Sequence, residues 1–367
     1  MHSFAAAAPS RFAGSVRWPA RVILVFLLLL TVQGLGVGPA PAPGIIRTGA
    51  HSGHAQMLLH QRVIEGVQAG GKYHQVAARE HRSAGYSLNP FSTVRLPTLI
   101  WVHSNLPPFG PAILLYALIA ATLGAWAWRL SIGGLPVQRA VLGSALLLAG
   151  AATLLLPELL VWHECWAALL IALSLAVRSE RRYGLSALTA LAGAAFSEQA
   201  IVFPLIMLAF SLLEKRAGEA GAWGAVIFVM AGFLAWHAEE TAAATGMAEG
   251  LPSKWLGSGG WDAAVMMVQM TGPLRLMPHW AGALIVPVAM IGWAGWQNTT
   301  GARGAVFLLI YLLLLASIGH ADNFYPALLV APLLPVGLLF APGALADLIR
   351  ASFGTGARTT APASLST

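Results

Sequence analysis

Eleven histidines occur in this chain, and once its apolar segments are laid out as membrane crossings, all but His2 fall on one side. The acids share that bias, and several ionisable residues sit within or at the very ends of the crossings. Charge in hydrocarbon is costly, so such residues are functional candidates by default. His163 and Glu164 open one span between Trp162 and Trp166. Glu198 lies in Ser197-Glu198-Gln199, between two short apolar stretches. His237, Glu239 and Glu240 close a span, His279 opens the next, and His320 with Asp322 occupies the last outer turn. Imidazole and carboxylate are ligands for zinc and manganese. No HExxH or comparably tight spacing is present, so a divalent cation (Mg or Mn) held together with substrate phosphate outranks a structural metal. Arg95, ahead of Leu96-Pro97-Thr98, and Arg275, shortly before Pro278, suit phosphate because a planar guanidinium binds two oxygens at once; Lys254 is a weaker candidate. The plainer alternatives are lipid headgroups for the arginines, and a helix-end pair satisfied by a neighbouring helix for His163 and Glu164.

The composition fixes the class of protein that must position these groups. Hydrophobic residues make up 57% of the chain, charged residues 10%, and mean hydropathy is +0.71. A soluble domain would carry roughly a quarter charged residues. The net charge of +7 is spread along the flanks of spans and forms no continuous patch, which argues against nucleic-acid binding. The single cysteine, Cys165, lies in an apolar segment and cannot form an internal disulfide. Abundant Ala and Gly, with arginine far above lysine, point to a GC-rich bacterial genome.

A spanning helix needs about 20 mostly apolar residues. The expected fold is an all-α integral membrane bundle of about ten transmembrane helices, over residues 21–37, 111–128, 137–156, 159–177, 185–196, 200–213, 222–237, 280–296, 304–318 and 324–341. Two of these, 185–196 and 200–213, give only ~18–21 Å of helix against a hydrocarbon core of ~30 Å. Reading them as half-helices places Glu198 at a turn inside the outer half of the bilayer, where non-helical backbone survives only beside a protein cavity. Arg129, Arg139, Arg178, Arg181, Arg182, Lys215, Arg216 and Arg303 fall in short connections on one side, and the connections around Pro157, Ser197 and His320 carry no Lys or Arg. The positive-inside rule then puts both termini in the cytoplasm. The first apolar run, Val22–Val32, follows a basic stretch like a signal peptide would; its continuation to Val37 favours a retained anchor.

Two long loops face outward, 38–110 and 238–278. The first is expected to hold an amphipathic helix over Ala55–Ala69 with Leu59, Val63 and Val67 on one stripe, and a second over Tyr73–Ala84. A turn at Asn89-Pro90-Phe91 and an interfacial helix over Thr98–Val102 follow. The second loop offers Trp261–Met270. The tail from Ala351 has the composition of a disordered segment. Asn298-Thr299-Thr300 fits a glycosylation acceptor but lies on the expected cytoplasmic side. No Walker loop, GxSxG elbow, CxxC or internal repeat is present.

The layout resembles the GT-C superfamily of membrane glycosyltransferases, which draw a sugar from a polyprenyl-phosphate donor. The similarity runs from Val22 to about Phe340. It is carried by Tyr73 through Gly85-Tyr86, by Asn89-Pro90-Phe91, and by Arg95-Leu96-Pro97-Thr98-Leu99. His163-Glu164 with Trp166, Glu198 between short helices, and Asp322-Asn323-Phe324-Tyr325 complete it. The resemblance implies a bacterial inner-membrane enzyme at the outer face, with a lipid-linked sugar donor and membrane lipids as partners. It also implies an acid early in the first outer loop, and here residues 38–64 contain none. His51-Ser52-Gly53-His54 stands in that stretch, and the first acid is Glu65. The expected catalytic residues are therefore His54, Glu65 and Glu198, since histidine titrates near neutrality and can act as general base. Tyr73, Arg95, His163, Glu164, Arg275 and Asp322 are the expected substrate contacts. The competing readings are a non-catalytic glycolipid-binding or envelope-assembly protein, a transporter, and a histidine-rich metal carrier. Transporters show repeats and midplane charge, which this chain lacks.

Overall fold

The computed structural model describes residues 10–36, 53–86, 88, 90–245, 259–318 and 324–354, with 53, 54 and 318 as backbone only. Among the described residues there is no strand. The first loop carries three helices after α1 (Arg17–Gly34): α2 (Gly53–Gln68), α3 (Tyr73–Ser83) and α4 (Thr98–Asn105). Then come α5 (Gly110–Ile132), α6 (Val137–Gly150), α7 (His163–Val177), α8 (Gly184–Phe196) and α9 (Val202–Leu213). The remainder are α10 (Ala217–Thr245), α11 (Gly260–Met270), α12 (His279–Gly295), α13 (Thr299–Ile318) and α14 (Ala341–Phe353).

Helices α1, α5, α10 and α13 are long and apolar enough to cross a bilayer. They turn Val25, Phe26, Leu29, Ile113, Leu114, Phe228 and Leu313 outward. So much exposed apolar surface on helical faces belongs against lipid rather than water. Of the shorter apolar helices α6, α7, α8 and α12, α7 is enclosed along most of its length, while α6 and α8 also turn Val137, Val141, Leu185 and Leu188 outward. Several apolar helices of spanning length indicate a membrane protein.

The two half-helices form as their interrupted hydropathy requires. α8 stops at Phe196, Ser197 turns extended (φ −140°, ψ 122°), and Glu198–Ile201 make one 3-10 turn before α9. The first loop also follows its pattern. Leu59 and Val63 of α2 are buried, with Val67 packed against the same core.

Two expectations are corrected. Residues 324–341, expected as the tenth spanning helix, are two 3-10 helices, Tyr325–Leu329 and Leu334–Leu339, joined by turns. The cause is Pro326, Pro332 and Pro335, each lacking the amide that an α-helix needs. Such backbone tolerates an apolar setting only when enclosed by protein, and here Gly150 of α6 and Gly292 of α12 let it approach. A Cβ on Gly292 would lie 1.8 Å from the Gly337 carbonyl oxygen, and one on Gly150 would lie 2.1 Å from that of Ala331. Trp293 Nε1 donates to the Leu333 carbonyl at 2.9 Å, satisfying an acceptor the missing helix would have used. The second correction is that the segment from Ala351 does not begin as irregular chain. α14 continues to Phe353 and ends on Gly354 in the left-handed region (φ 73°). Its Leu348 and Ala351 bury against Ala20 of α1, and Asp347 accepts from the Ser10 backbone and hydroxyl, both at 2.8 Å. Residues 355–367 lie outside the described residues.

Candidate functional site

Between α3 and α4 the chain is extended at Val94 and non-helical through Arg95 and Leu96, and a non-helical segment leaves its carbonyls without helical partners. Side chains from three elements supply them. His237 Nε2 of α10 donates to the Val94 carbonyl at 3.0 Å, Tyr73 Oη of α3 to that of Arg95 at 2.5 Å, and His163 Nε2 of α7 to that of Leu96 at 3.1 Å. One turn further, Thr98 Oγ1 donates to the Ala195 carbonyl at 2.6 Å, next to the α8 terminus. The segment is thus clamped at consecutive carbonyls, and the clamp fixes where Arg95 points.

Arg95 Nη1 meets Glu164 Oε1 at 2.8 Å and Glu198 Oε1 at 3.6 Å. Glu164 is 0% exposed and Glu198 23% exposed. Burial alone would lower the arginine pKa, but Glu164 and then Glu198 outweigh it and hold it above the usual value. Gln199, beside Glu198, accepts from Tyr311 Oη of α13 at 2.9 Å. Glu164 Oε2, His163 Nδ1 and the Ser197 hydroxyl are buried without hydrogen-bond partners. Orphaned groups at that depth are costly, which marks the cluster as more than scaffold.

Behind the clamp stands a histidine pair. His237 Nε2 carries the proton given to Val94, so in the neutral ring Nδ1 accepts, and His74 Nε2 donates to it at 3.0 Å. His237 has no ring nitrogen left to offer a ligand. Burial, then its neighbour His237, lowers the His74 pKa to about 4. His60 of α2, 5.4 Å from the His163 ring, is lowered to about 3 by burial, with Arg95 and His81 adding. Burial pushes the Tyr73 hydroxyl above its ordinary value, so Tyr73 remains a donor.

A cavity of about 260 Å³ opens beside this cluster, lined by Phe91, Ser92, Val94, Leu96, Glu198, Leu234 and His237. Of the residues expected from sequence, Tyr73, Arg95, His163, Glu164 and Glu198 come together. Tyr73 and His163 hold backbone rather than face the cavity. Glu65 is exposed on α2, with no ion pair among the described residues, and Arg275 is exposed on the 3-10 turn Pro273–Leu276; neither lines the cavity. The side chain of His54 and all of Lys254, His320 and Asp322 lie outside the described residues. His279 is structural, bonding the Gly34 carbonyl at 2.8 Å and Gln269 Oε1 at 3.2 Å. Among the described residues no group of three or more His, Cys, Asp or Glu could hold a metal. Sequence reading missed His74, Phe91 and Leu234 as site residues. Phe91 carried a signal in the turn Asn89-Pro90-Phe91, His74 in the stretch from Tyr73 to Gly85, and Leu234 none.

The opposite end of the bundle holds a second ionic cluster. Arg178 grips Glu219 at 2.7 and 2.9 Å, Arg216 reaches Glu219 at 2.8 Å, and Arg303 reaches Glu214 at 2.7 Å. Arg129 caps the same region through the Ala176 and Arg178 carbonyls. Arg178 and Arg303, two of the topology markers, are therefore also buried ties between helices.

Fold and site together define an all-helical membrane protein with a carboxylate-bearing cavity at its histidine-rich end. No family model, no curated protein and no solved structure matches the chain.

Proposed function

We propose that this chain is a GT-C-like membrane glycosyltransferase, its histidine-rich end facing outward at the bacterial inner membrane and both termini in the cytoplasm. The donor is a polyprenyl-phosphate sugar, and its sugar ring occupies the cavity at Glu198. One observation carries the reading: a cavity of about 260 Å³ meets a partly open carboxylate, and a buried Arg95–Glu164 pair backs that carboxylate. Carboxylates suit sugar hydroxyls because each oxygen accepts from an O–H.

In the reaction an acceptor oxygen attacks the anomeric carbon, and the bond from that carbon to the lipid phosphate oxygen breaks. The electron pair leaves with the phosphate, and the acceptor proton passes to a base. His54 is the first-loop candidate, because Glu65 is exposed and away from the cavity. General-base assistance contributes about 10²–10⁴-fold. Arg95 takes a different role from the phosphate contact expected of it. Two carboxylates already share its Nη1, so it offers a phosphate no net positive charge and instead opposes the burial that disfavours the Glu198 anion. Glu164 anchors Arg95, and Tyr73 and His163 hold its backbone.

The test is transfer from a panel of polyprenyl-phosphate sugars by the purified chain in lipid, with Glu198→Gln, His54→Ala and Glu65→Gln. Transfer that collapses with Glu198→Gln and persists with Glu65→Gln supports the proposal. Saturable donor binding without transfer, weakened by Glu198→Gln, would replace it with a non-catalytic glycolipid-binding protein. Neither binding nor transfer would return the transport and assembly readings to the front.

A further inference from the structure

The cavity's chemistry is narrower than its size. Glu164, fully enclosed and 2.8 Å from Arg95 Nη1, answers that charge at closer range than Glu198 does at 3.6 Å. The arginine and two carboxylates leave one negative charge over, and it lies with Glu198, the carboxylate that reaches the cavity. Among the described residues no Lys or Arg lines that space. His237 has no nitrogen to give, since both are bonded to Val94 and His74. Phe91 contributes an aromatic ring at the entrance, 40% exposed.

A cavity lined by one carboxylate and an aromatic ring, with no basic side chain among the described lining residues, is matched by a cation that donates hydrogen bonds. Aromatic rings attract ammonium groups through their quadrupole, and more strongly where water is excluded. A carboxylate adds charge-assisted hydrogen bonds. A phosphate would meet the unbalanced charge of Glu198 and find only the Ser92 hydroxyl as a side-chain donor among the lining residues.

We propose that the cavity at Glu198 and Phe91 binds a primary ammonium group. The inference rests on reading this cavity as the headgroup site, and it names the headgroup's charge. Two sources share that chemistry: an amino sugar on the lipid-linked donor, and the ethanolamine headgroup of a membrane lipid.

The test uses the full chain in a maltoside detergent with paired probes. One pair is a polyprenyl-phosphate amino sugar and its N-acetylated form; the other is a short-chain phosphatidylethanolamine and its N-acetylated form. In at least one pair the free amine is expected to bind about tenfold or more tightly than its acetylated partner, a difference of about 1.4 kcal/mol. Glu198→Gln should erase that preference, and Phe91→Leu, a change at the cavity mouth, should reduce it several-fold; thermal unfolding of each variant shows whether it is folded. The pair that responds identifies the source. Equal or tighter binding of the acetylated probes, or a preference that survives Glu198→Gln, overturns the inference. Transfer of neutral sugars without any amine preference leaves the glycosyltransferase standing and removes the ammonium site. An ethanolamine preference with no sugar binding does the reverse, and binding of no probe removes both.

Discussion

Replacing Arg95 with methionine strands a carboxylate that has nowhere to go. Glu164 is 0% exposed, and among the described residues its only cation is Arg95 Nη1 at 2.8 Å; Glu198 at 3.6 Å keeps some access to the cavity. At an effective dielectric constant of about 20 the two attractions are about 6 and about 5 kcal/mol before desolvation is subtracted. Breaking a buried pair by removing one partner typically costs ~3–5 kcal/mol net, whereas replacing both partners by apolar groups of similar volume is often neutral or stabilising. Arg95→Met is therefore expected to cost ~3–5 kcal/mol, and Arg95→Met with Glu164→Leu to recover most of it. The assay is a double-mutant cycle of unfolding midpoints in mixed detergent micelles, with Glu164→Leu as the other single variant. If Arg95→Met costs under ~1 kcal/mol, or the cycle shows no coupling beyond ~0.5 kcal/mol, the pair is not the enclosed one described and the electrostatic reasoning fails.

The carbonyl clamp, the histidines and the glycine contacts give further tests. Tyr73→Phe leaves the Arg95 carbonyl without its donor and should cost ~1–3 kcal/mol, measured by the same unfolding midpoint. His60 and His74 titrate at about 3 and about 4 in the folded chain against 6.5 ordinarily. The unfolded chain therefore binds more protons between those values, and stability is full above pH ~6.5 and falls as the pH drops toward 4 and then 3. Thermal unfolding from pH 7 to pH 4 should show that decline, with a shallower slope in His60→Leu; a pH-independent midpoint would count against burial of neutral rings. Gly292→Ala drives a methyl into the Gly337 carbonyl and should cost ~1–3 kcal/mol or more. Gly224→Ala, on α10 with open space around it, should be neutral or slightly stabilising, and thermal unfolding of the two side by side checks this.

What could be read from the sequence was what local pattern encodes. Apolar runs located the apolar helices, four of which are long enough to cross a bilayer, and the charged break at Ser197-Glu198-Gln199 located the junction of α8 and α9 within a residue or two. Residues 324–341 were misread because hydropathy does not register proline: the run is apolar enough for a span, but its prolines deny it α-helical bonds. The site was half legible. Intramembrane charge singled out His163, Glu164 and Glu198, and the arginine ahead of an interfacial helix singled out Arg95. Their pairing was invisible, since it depends on how α7 and the α8–α9 turn fold over a distant non-helical segment. For the same reason Arg95 read as a phosphate ligand when its charge is already matched. Glu214 and Glu219 escaped notice because they sit among arginines on the side where positive charge was expected. Leu234 has no sequence signal at all; only the cavity reveals it.

The most direct test of the headgroup site is photocrosslinking with a polyprenyl-phosphate sugar that carries a diazirine on the sugar ring. The probe would be applied to the chain in lipid and the adducts mapped by mass spectrometry. Adducts on Phe91, Ser92 or Leu234, competed by unlabelled donor and lost in Glu198→Gln, are the predicted result. Adducts confined to the lipid-facing surfaces of α1 or α5, or labelling unaffected by competitor, would contradict it.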